Sequence, residues 1–189
     1  VIYPVSQLTA LVGQTITSTY FYRLTPGGAM AGTPNFKIYL KEVSNTDWGE
    51  FSISWATTIS GATLIYDGNP APIVGSTAGW KNFVSSANFV YSGTKNLAVL
   101  MEYVNTTAST ALQWTYEYSG NCIDPYNYNT TKYINNTTGT PGTTLSSSAE
   151  ERPYIGFDIA VSCYPPTNVT VPAGNITTTS ATINWTAPS

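Results

Sequence analysis

The sequence predicts an all-β protein, and three observations point to that class. Charged residues make up only 9% of the 189 residues, against about 25% in a typical chain, so solubility must come from Thr, Ser, Asn and Tyr. Aromatic and β-branched residues are frequent and are interrupted by Gly and Pro, which is typical of strands and turns. Short segments alternate between apolar and polar residues, and no helix-period segment of useful length occurs. We therefore expect two sheets packed as a sandwich.

The stretch 79–103 is the segment around which the predicted sandwich is organised. It contains a strand, a polar kink at 85–88, a turn at Ser92 and Gly93, and a long apolar strand that begins at residue 97. Because that last strand is apolar on both faces, we expect it in the middle of the sandwich rather than at its rim. Glu102 is a lone carboxylate in that strand and needs either a partner or an exposed strand end.

Besides the strand in which the chain begins, four strands are predicted before this stretch. Residues 14–24 form a strand rich in Thr and Tyr. Residues 35–43 alternate cleanly, with Phe36, Ile38 and Leu40 on one face and Lys or Tyr between them, so this strand is expected to be half-buried with one solvated side. The two shorter strands are predicted at 50–55 and 62–66.

The later part of the chain is less regular. Residues 110–118 are predicted as a strand in which Leu112, Trp114, Tyr116 and Tyr118 share a face. Residues 121–151 lack strong periodicity, and a stretch of that length is usually functional or mobile. Residues 154–161 form the clearest half-buried strand, with Ile155, Phe157, Ile159 and Val161 on its apolar face.

A boundary is predicted where two prolines follow Cys163 and Tyr164, because successive prolines favour an extended linker. We expect a sandwich module over 1–162, a linker over 163–167 and a further segment over 168–189 with two strands. The chain starts at Val1 inside a predicted strand, without an initiator Met, so we expect an interior piece of a longer protein.

Composition excludes several functional classes. A net charge of −3 without basic clusters argues against nucleic acid, which requires a cationic footprint. No apolar run approaches the roughly 20 residues that cross a membrane. The absence of histidine excludes Ser-His-Asp, Cys-His and histidine–metal arrangements. A pair of carboxylates for glycoside hydrolysis remains formally open, but most carboxylates lie at turns or on exposed faces, so we expect no enzyme.

Calcium is the metal that the sequence favours most, because oxygen ligands on loops suffice to hold it. The candidate ligands are Asp67, Asn69 and Asp124. No EF-hand spacing accompanies them, and Asp-Gly-Asn is equally good turn chemistry. We expect no other cofactor.

Aromatic residues near the long irregular stretch are candidates for ligand binding. Carbohydrate binding uses exposed aromatic faces flanked by amides and carboxylates, and the selected candidates are Trp114, Tyr126, Tyr128 and Tyr133. The alternative is that Trp114, together with Tyr116 and Tyr118, fills the sandwich core. Trp48 and Trp80 lie beside turns, where partial exposure is also expected.

Two cysteines, Cys122 and Cys163, form a disulfide candidate. Their separation permits a bridge but does not establish one. The composition is like that of secreted proteins, in which such bridges form and persist, and two buried free thiols are the equal alternative.

The last segment carries the run Ser-Ala-Thr-Ile-Asn-Trp-Thr-Ala-Pro at 180–188. This run resembles the opening A and B strands of a fibronectin type III domain, in which Trp185 matches the core tryptophan of strand B. The resemblance implies an N-terminal fragment of such a domain over 168–189.

The larger segment also resembles a known class, on short motifs spread over 1–161. The motifs are Ile2-Tyr3-Pro4, Ile16-Thr17-Ser18, 35–40, Gly79-Trp80, 89–97 and 152–155. They are similar to jelly-roll-type β-sandwich modules in secreted, multidomain surface proteins of Bacteroidota, which often precede fibronectin type III repeats. Relatives often carry Asp at the position of Ser92. Because serine has no carboxylate, we do not expect the cation-binding or turn role that Asp could have at this position.

The resemblance implies a non-catalytic, extracellular module of a large secreted or cell-surface bacterial protein, acting in adhesion or as a structural stalk. The alternative is a carbohydrate-binding accessory domain of a secreted hydrolase. The expected partners are surface glycans or other cell-surface polymers, and self-association through edge strands is a further route to assembly.

Overall fold

A computed structural model describes residues 1–25, 30–105, 113–118, 127–135, 142–160, 167–172, 174, 176 and 178–186. The chain is mostly antiparallel strand, which confirms the all-β class. It divides into two compact units, Val1–Ile159 and Ala160–Ser189. No helix in the described ranges is long and apolar enough to cross a membrane.

The described part of the first unit holds strands β1–β13 and two short helices. The strands are β1 (Ile2–Tyr3), β2 (Thr15–Arg23), β3 (Asn35–Val43), β4 (Ile53–Ser54), β5 (Thr63–Gly68), β6 (Gly79–Val90), β7 (Asn96–Val104), β8 (Tyr116–Tyr118), β9 (Thr131–Tyr133), β10 (Thr144–Leu145), β11 (Ser147–Ala149), β12 (Glu151–Pro153) and β13 (Ile155–Ile159). The helices are α1 (Trp55–Ile59) and α2 (Ala71–Val74). Two 3-10 turns, Val5–Gln7 and Thr9–Leu11, follow β1.

Two sheets share one core. The first has the strand order β1-β7-β3-β5 and the second has the order β13-β2-β6. Phe21 of β2 and Phe83 of β6 contact Phe36 of β3, with ring centroids 6.4 and 5.3 Å from that of Phe36. All three rings are buried in one cluster. The two sheets therefore pack face to face, as the sequence predicts.

Strand β7 is apolar on both faces because both faces are covered. Leu97 and Val99 belong to the cluster between the sheets. Ala98 and Leu100 belong to a second cluster on the opposite face of the same sheet. Since β7 lies between β1 and β3, its predicted central position is confirmed.

Glu102 has the partners that its position in this strand demands. Its Oε1 lies 3.3 Å from Lys37 Nζ, and its Oε2 accepts a hydrogen bond from Trp55 Nε1 at 3.2 Å. The hydrogen bond and the negative charge of Glu102 raise the pKa of Lys37. The carboxylate is therefore paired on both of its oxygens, and Trp55, which donates to one of them, packs against the second cluster.

One face of β3 is less solvated than its alternation predicts. Phe36, Ile38 and Leu40 are buried as expected, but Tyr39 on the other face contacts Trp55 with ring centroids 6.1 Å apart. The covering element comes from 50–55, where the prediction of a continuous strand is wrong. Ser54 Oγ accepts a hydrogen bond from the backbone N–H of Thr57 at 3.4 Å, so this N-cap starts α1 where the strand was expected to continue.

The polar kink predicted at 85–88 is a bulge within β6. Ile16 of β2 pairs with Phe89 of β6, yet Ser18 pairs with Val84, so four residues of β6 lie opposite one of β2. Within the bulge, Ser86 Oγ donates a hydrogen bond to the carbonyl oxygen of Ile65 at 3.1 Å. The bulge therefore links the second sheet to an edge strand of the first.

Polar contacts hold the described part of the irregular stretch 121–151 against a loop of the first unit. Lys132 of β9 is buried, and its Nζ donates to the carbonyl oxygen of Gly49 at 2.7 Å and to Asn129 Oδ1 at 3.2 Å. Its strand pairs with β11. A single ammonium group thus joins two segments that carry little apolar periodicity.

The described part of the second unit contains the two predicted strands as β14 (Thr167–Thr170) and β15 (Asn184–Thr186), and these pair antiparallel. Trp185 is 62% exposed, so the described strands of this unit form no core around it, and its match to a core tryptophan stays a prediction. A two-stranded sheet has a single layer and leaves both of its faces open. Residues 163–166 of the predicted linker lie outside the described residues.

Candidate binding groove

An open groove of about 550 Å³ lies beside β13, a volume within the range of small-ligand sites. Its lining residues come from the N-terminal turns, from β6 and from the strands that precede and form β13. They are Tyr3, Gln7, Leu8, Ala10, Leu11, Trp80, Glu117, Arg152, Pro153, Tyr154, Ile155, Gly156 and Phe157.

The groove exists because the chain changes strand partners at Tyr154. Before that residue, β12 pairs with β8, and the backbone N–H of Tyr154 donates to the carbonyl oxygen of Thr115 at 2.8 Å. After it, β13 pairs with β2 and forms the end of its sheet in the described strand order. The consecutive residues 154–157 therefore line the groove from both faces of the strand.

One wall of the groove is apolar. Leu8 is buried, and Leu11, Ile155 and Phe157 pack against the cluster between the two sheets. Tyr3 closes this wall at the base, where its hydroxyl donates to the carbonyl oxygen of Pro153 at 2.6 Å. This side of the groove is continuous with the protein core.

The other wall carries two exposed rings, Trp80 at 51% and Tyr154 at 40% exposure. The Trp80 ring meets the Tyr22 ring edge to face, with centroids 5.3 Å apart and an angle of 88° between the planes. The Trp80 ring also reaches across β2 to β13. A Cβ placed on Gly156 of β13 would lie only 3.7 Å from the indole. The indole is thus supported by its neighbours while remaining open to solvent.

Opposite charges lie at one end of the groove. Glu117 of β8 is directly opposite Arg152 of β12 in the strand register. The Tyr154 hydroxyl donates to Glu117 Oε2 at 3.0 Å, and Arg152 is buried. These two are the charged members of the described lining, so its formal charge sums to zero.

The exposed face of the second sheet continues beyond the groove with polar groups. The Tyr20 hydroxyl donates a hydrogen bond to Asp158 Oδ2, and Asn82 Nδ2 donates to the Tyr20 hydroxyl at 2.9 Å. The hydrogen bond to Asp158 is the main reason that the pKa of Tyr20 is raised. Tyrosine, amide and carboxylate groups thus adjoin the Trp80 ring.

The residues selected from the sequence lie elsewhere. Trp114 is half-buried with its ring 5.7 Å from Phe21, which supports the alternative of core packing for this residue. Tyr128 and Tyr133 are exposed, and in the described part of the chain neither ring contacts another aromatic ring or lines the groove. Tyr126 lies outside the described residues.

Tyr116 and Tyr118 do not fill the core, because both are exposed on β8. Their rings contact each other edge to face with centroids 5.6 Å apart. The alternative of core filling is therefore wrong for these two residues.

The calcium candidates show turn and strand-end contacts. Asn69 Oδ1 accepts a hydrogen bond from the backbone N–H of Ala71 at 2.9 Å, and Asp67 Oδ1 accepts one from Asn35 Nδ2 at 2.9 Å. Across the described ranges, no three His, Cys, Asp or Glu residues converge as metal ligands would. Asp124 lies outside those ranges, as do both residues of the disulfide candidate, Cys122 and Cys163.

Sequence reasoning missed most of the groove. It noted Trp80 beside a turn and 152–155 as a family motif, but it selected none of Glu117, Arg152 and Tyr154 as a binding residue. The available signal was the alternation in 20–23 and 80–83, which places Tyr and Trp on the face opposite to Phe. No signal in the sequence indicates that 115–118 lies beside 151–154.

Comparison with known proteins identifies no relative. A scan against protein-family models, a search of curated proteins and a search of solved structures each gave no match. The geometry of the groove is therefore the basis for the functional proposal.

Proposed function

We propose that the first unit is a jelly-roll-like, non-catalytic extracellular module of a large secreted or cell-surface bacterial protein, and that it acts in adhesion. The observation that supports this proposal is the groove beside β13 with its supported, solvent-exposed indole. Exposed Trp and Tyr rings are typical of binding surfaces, because they contribute a large contact area at a low cost in conformational entropy. A plain structural stalk has no need of such a groove.

The lining chemistry supports binding rather than catalysis. Glycoside hydrolysis in most families uses two carboxylates, whereas Glu117 is the one carboxylate in the described lining. The sequence also contains no histidine to serve as a general base. The polar groups of the groove are suited to orienting a ligand.

The second candidate is a carbohydrate-binding accessory module of a secreted hydrolase. It is favoured by the combination of Trp80 and Tyr154 with Glu117 and the amide of Gln7, since sugars present both apolar C–H faces and hydroxyl groups. Both candidates use the same groove. They differ in whether a catalytic domain accompanies the module in the full-length protein.

The test is binding of the purified chain to an array of glycans and cell-surface polymers. We expect saturable binding by the native chain and a loss of at least about tenfold in affinity for Trp80→Ala. Phe51→Ala is the matched control, because Phe51 is an aromatic residue with 85% exposure that does not line the groove. We expect this variant to bind normally.

Failure of the native chain to bind any polymer would refute the adhesive function. Equal binding by Trp80→Ala and the native chain would refute the assignment of the groove. Tyr128→Ala and Tyr133→Ala in the same series test the site predicted from the sequence.

A further inference from the structure

We infer that the groove beside β13 selects a neutral glycan, with a pyranose ring stacked on Trp80 and neighbouring hydroxyls bonded to Glu117 and Arg152. This inference rests on the proposed function and names the ligand class of the same groove. Three features of the lining support it: one fixed ring, one pair of opposite charges and one apolar wall.

The fixed ring is Trp80. Tyr22 meets its ring edge to face at 5.3 Å, and the indole reaches over Gly156, so the neighbours limit its rotation and leave half of its surface open. A flat, exposed aromatic face fits the C–H face of a pyranose. Since the indole is held before binding, little side-chain entropy is lost on complex formation.

The opposite charges supply matched donors and acceptors. A carboxylate accepts hydrogen bonds and a guanidinium donates them in a fixed fork. Glu117 and Arg152 lie opposite each other across a strand pair, so adjacent hydroxyls of one sugar can donate to the first and accept from the second. Hydrogen bonds to charged groups are stronger than neutral ones. These two residues should therefore increase the affinity of the groove for a hydroxylated ligand.

The charge balance argues against an anionic glycan. The lining carries one positive and one negative charge, Asp158 lies on the same sheet face next to Tyr20, and the chain as a whole carries −3. A sulfated or carboxylated sugar would meet repulsion there without an excess of cations to offset it. A neutral ligand meets no such opposition.

Because one wall of the groove is apolar, side-chain hydrogen bonds are available to a ligand from the other side only. Leu8, Leu11 and Phe157 offer no hydrogen-bonding side chains to a ligand, so a sugar with polar groups on every edge would leave some hydroxyls unpaired. We therefore expect a preference for rings that keep one edge apolar against this wall.

The experiment is calorimetric titration of the whole chain with two sets of probes. The neutral probes are cello-, xylo- and manno-oligosaccharides, and the anionic probes are oligogalacturonates and heparin fragments. We expect at least one neutral probe to bind at least about tenfold more tightly than any anionic probe. We also expect Glu117→Gln to weaken neutral binding by about tenfold, since one charged acceptor is lost.

Glu151→Gln is the matched control, because Glu151 is the neighbour of Arg152 on β12 but does not line the groove. We expect it to bind as the native chain does, and thermal unfolding of both variants establishes that they are folded. Trp80-dependent binding of anionic probes would overturn this inference while leaving the proposed function intact. Binding of the probes that does not depend on Trp80 would overturn the inference together with the assignment of the groove.

Discussion

The two faces of the β13-β2-β6 sheet use aromatic residues in opposite ways. Along β2, Phe21 points inward and Tyr22 points outward; along β6, Phe83 points inward and Trp80 points outward. The inward rings carry no polar atom and are fully buried, whereas the outward rings carry a hydroxyl or an N–H and meet water. A period of two along each strand thus places packing residues and recognition residues side by side in the sequence.

This difference separates stability from binding. Substitutions on the inward face should lower the free energy of unfolding, and substitutions on the outward face should lower ligand affinity with little change in stability.

Phe83→Ala should lower the free energy of unfolding by about 3–5 kcal/mol, because a buried ring is replaced by a cavity. Phe83 contacts Phe21, Phe36 and Tyr66 at centroid distances of 5.1–6.0 Å. Guanidinium chloride unfolding at 25 °C measures the change. Val84→Ala is the control on the exposed face of the same strand and should change stability by about 0.5 kcal/mol or less. Similar losses for the two variants would contradict the division between the faces.

Much of the sandwich can be predicted from the sequence where apolar residues are periodic. The alternation at 36–40 and the doubly apolar strand after residue 96 predict β3 and β7, and the isolation of Glu102 predicts its need for partners. These features follow from burial alone, which a local pattern records. The helix α1 was missed because Ser54 acts as an N-cap at a position where a strand continues equally well by composition.

The groove could not be predicted because its parts are distant in sequence. Gln7, Trp80, Glu117 and Arg152 meet only because the chain changes partners at Tyr154, from β8 along β12 to β2 along β13. Strand exchange depends on long-range register, which no periodicity encodes. The tyrosines of the irregular stretch were predicted as binding residues instead. Aromatic residues without a packing role are easier to recognise in a loop than on the outward face of a strand.

In a polypeptide that begins at Val1, an ionisable group on the inward side should make stability depend on pH. Val1 belongs to the cluster between the sheets, and its nitrogen donates to the carbonyl oxygen of Val99 at 3.0 Å. Burial lowers the pKa of its α-amino group from 8.0 to about 5. Between these values the unfolded state binds more protons than the folded state, so stability rises with pH through this window. For a polypeptide that begins at Val1, up to about 4 kcal/mol is lost as the pH falls from 8 to 5.

Nα-acetylation of Val1 provides the control for this pH dependence. The acetylated nitrogen does not titrate, yet it keeps one N–H that can donate to the carbonyl oxygen of Val99. Unfolding measured between pH 5 and 8.5 should show a steeper slope for the free amine than for the acetylated chain. Equal slopes in the two chains would mean that the amine is not buried with the inward face.

The turn between β6 and β7 joins the two sheets, and its glycine is under two constraints. Gly93 has φ of +76°, and a Cβ there would lie 2.5 Å from Val12 Cγ2. We expect Gly93→Ala to cost about 2 kcal/mol, part from the backbone conformation and part from the clash with Val12. Gly49→Ala separates the two contributions, because Gly49 has φ of +73° with no atom within 4 Å of the added Cβ.

Thermal and denaturant unfolding of these variants should show a smaller loss for Gly49→Ala than for Gly93→Ala. Combining Val12→Ala with Gly93→Ala should recover most of the difference, since the smaller side chain removes the Cγ contacts and leaves the Cβ of residue 12 at 3.0 Å from the added Cβ. If the double variant recovers nothing, the cost at Gly93 is conformational alone.

Trp80→Ala should have the smallest effect on stability, about 1 kcal/mol or less, although it removes the largest side chain of the outward face. The indole is half exposed, so the variant creates no cavity, and the main loss is the edge-to-face contact with Tyr22, worth about 0.5–1.5 kcal/mol in buried pairs. Guanidinium chloride unfolding measures this value beside that of Phe83→Ala. A loss in free energy of unfolding as large as that of Phe83→Ala would show that the indole stabilises the sheet and is not kept for ligand binding. A residue that serves recognition is one whose removal the fold tolerates.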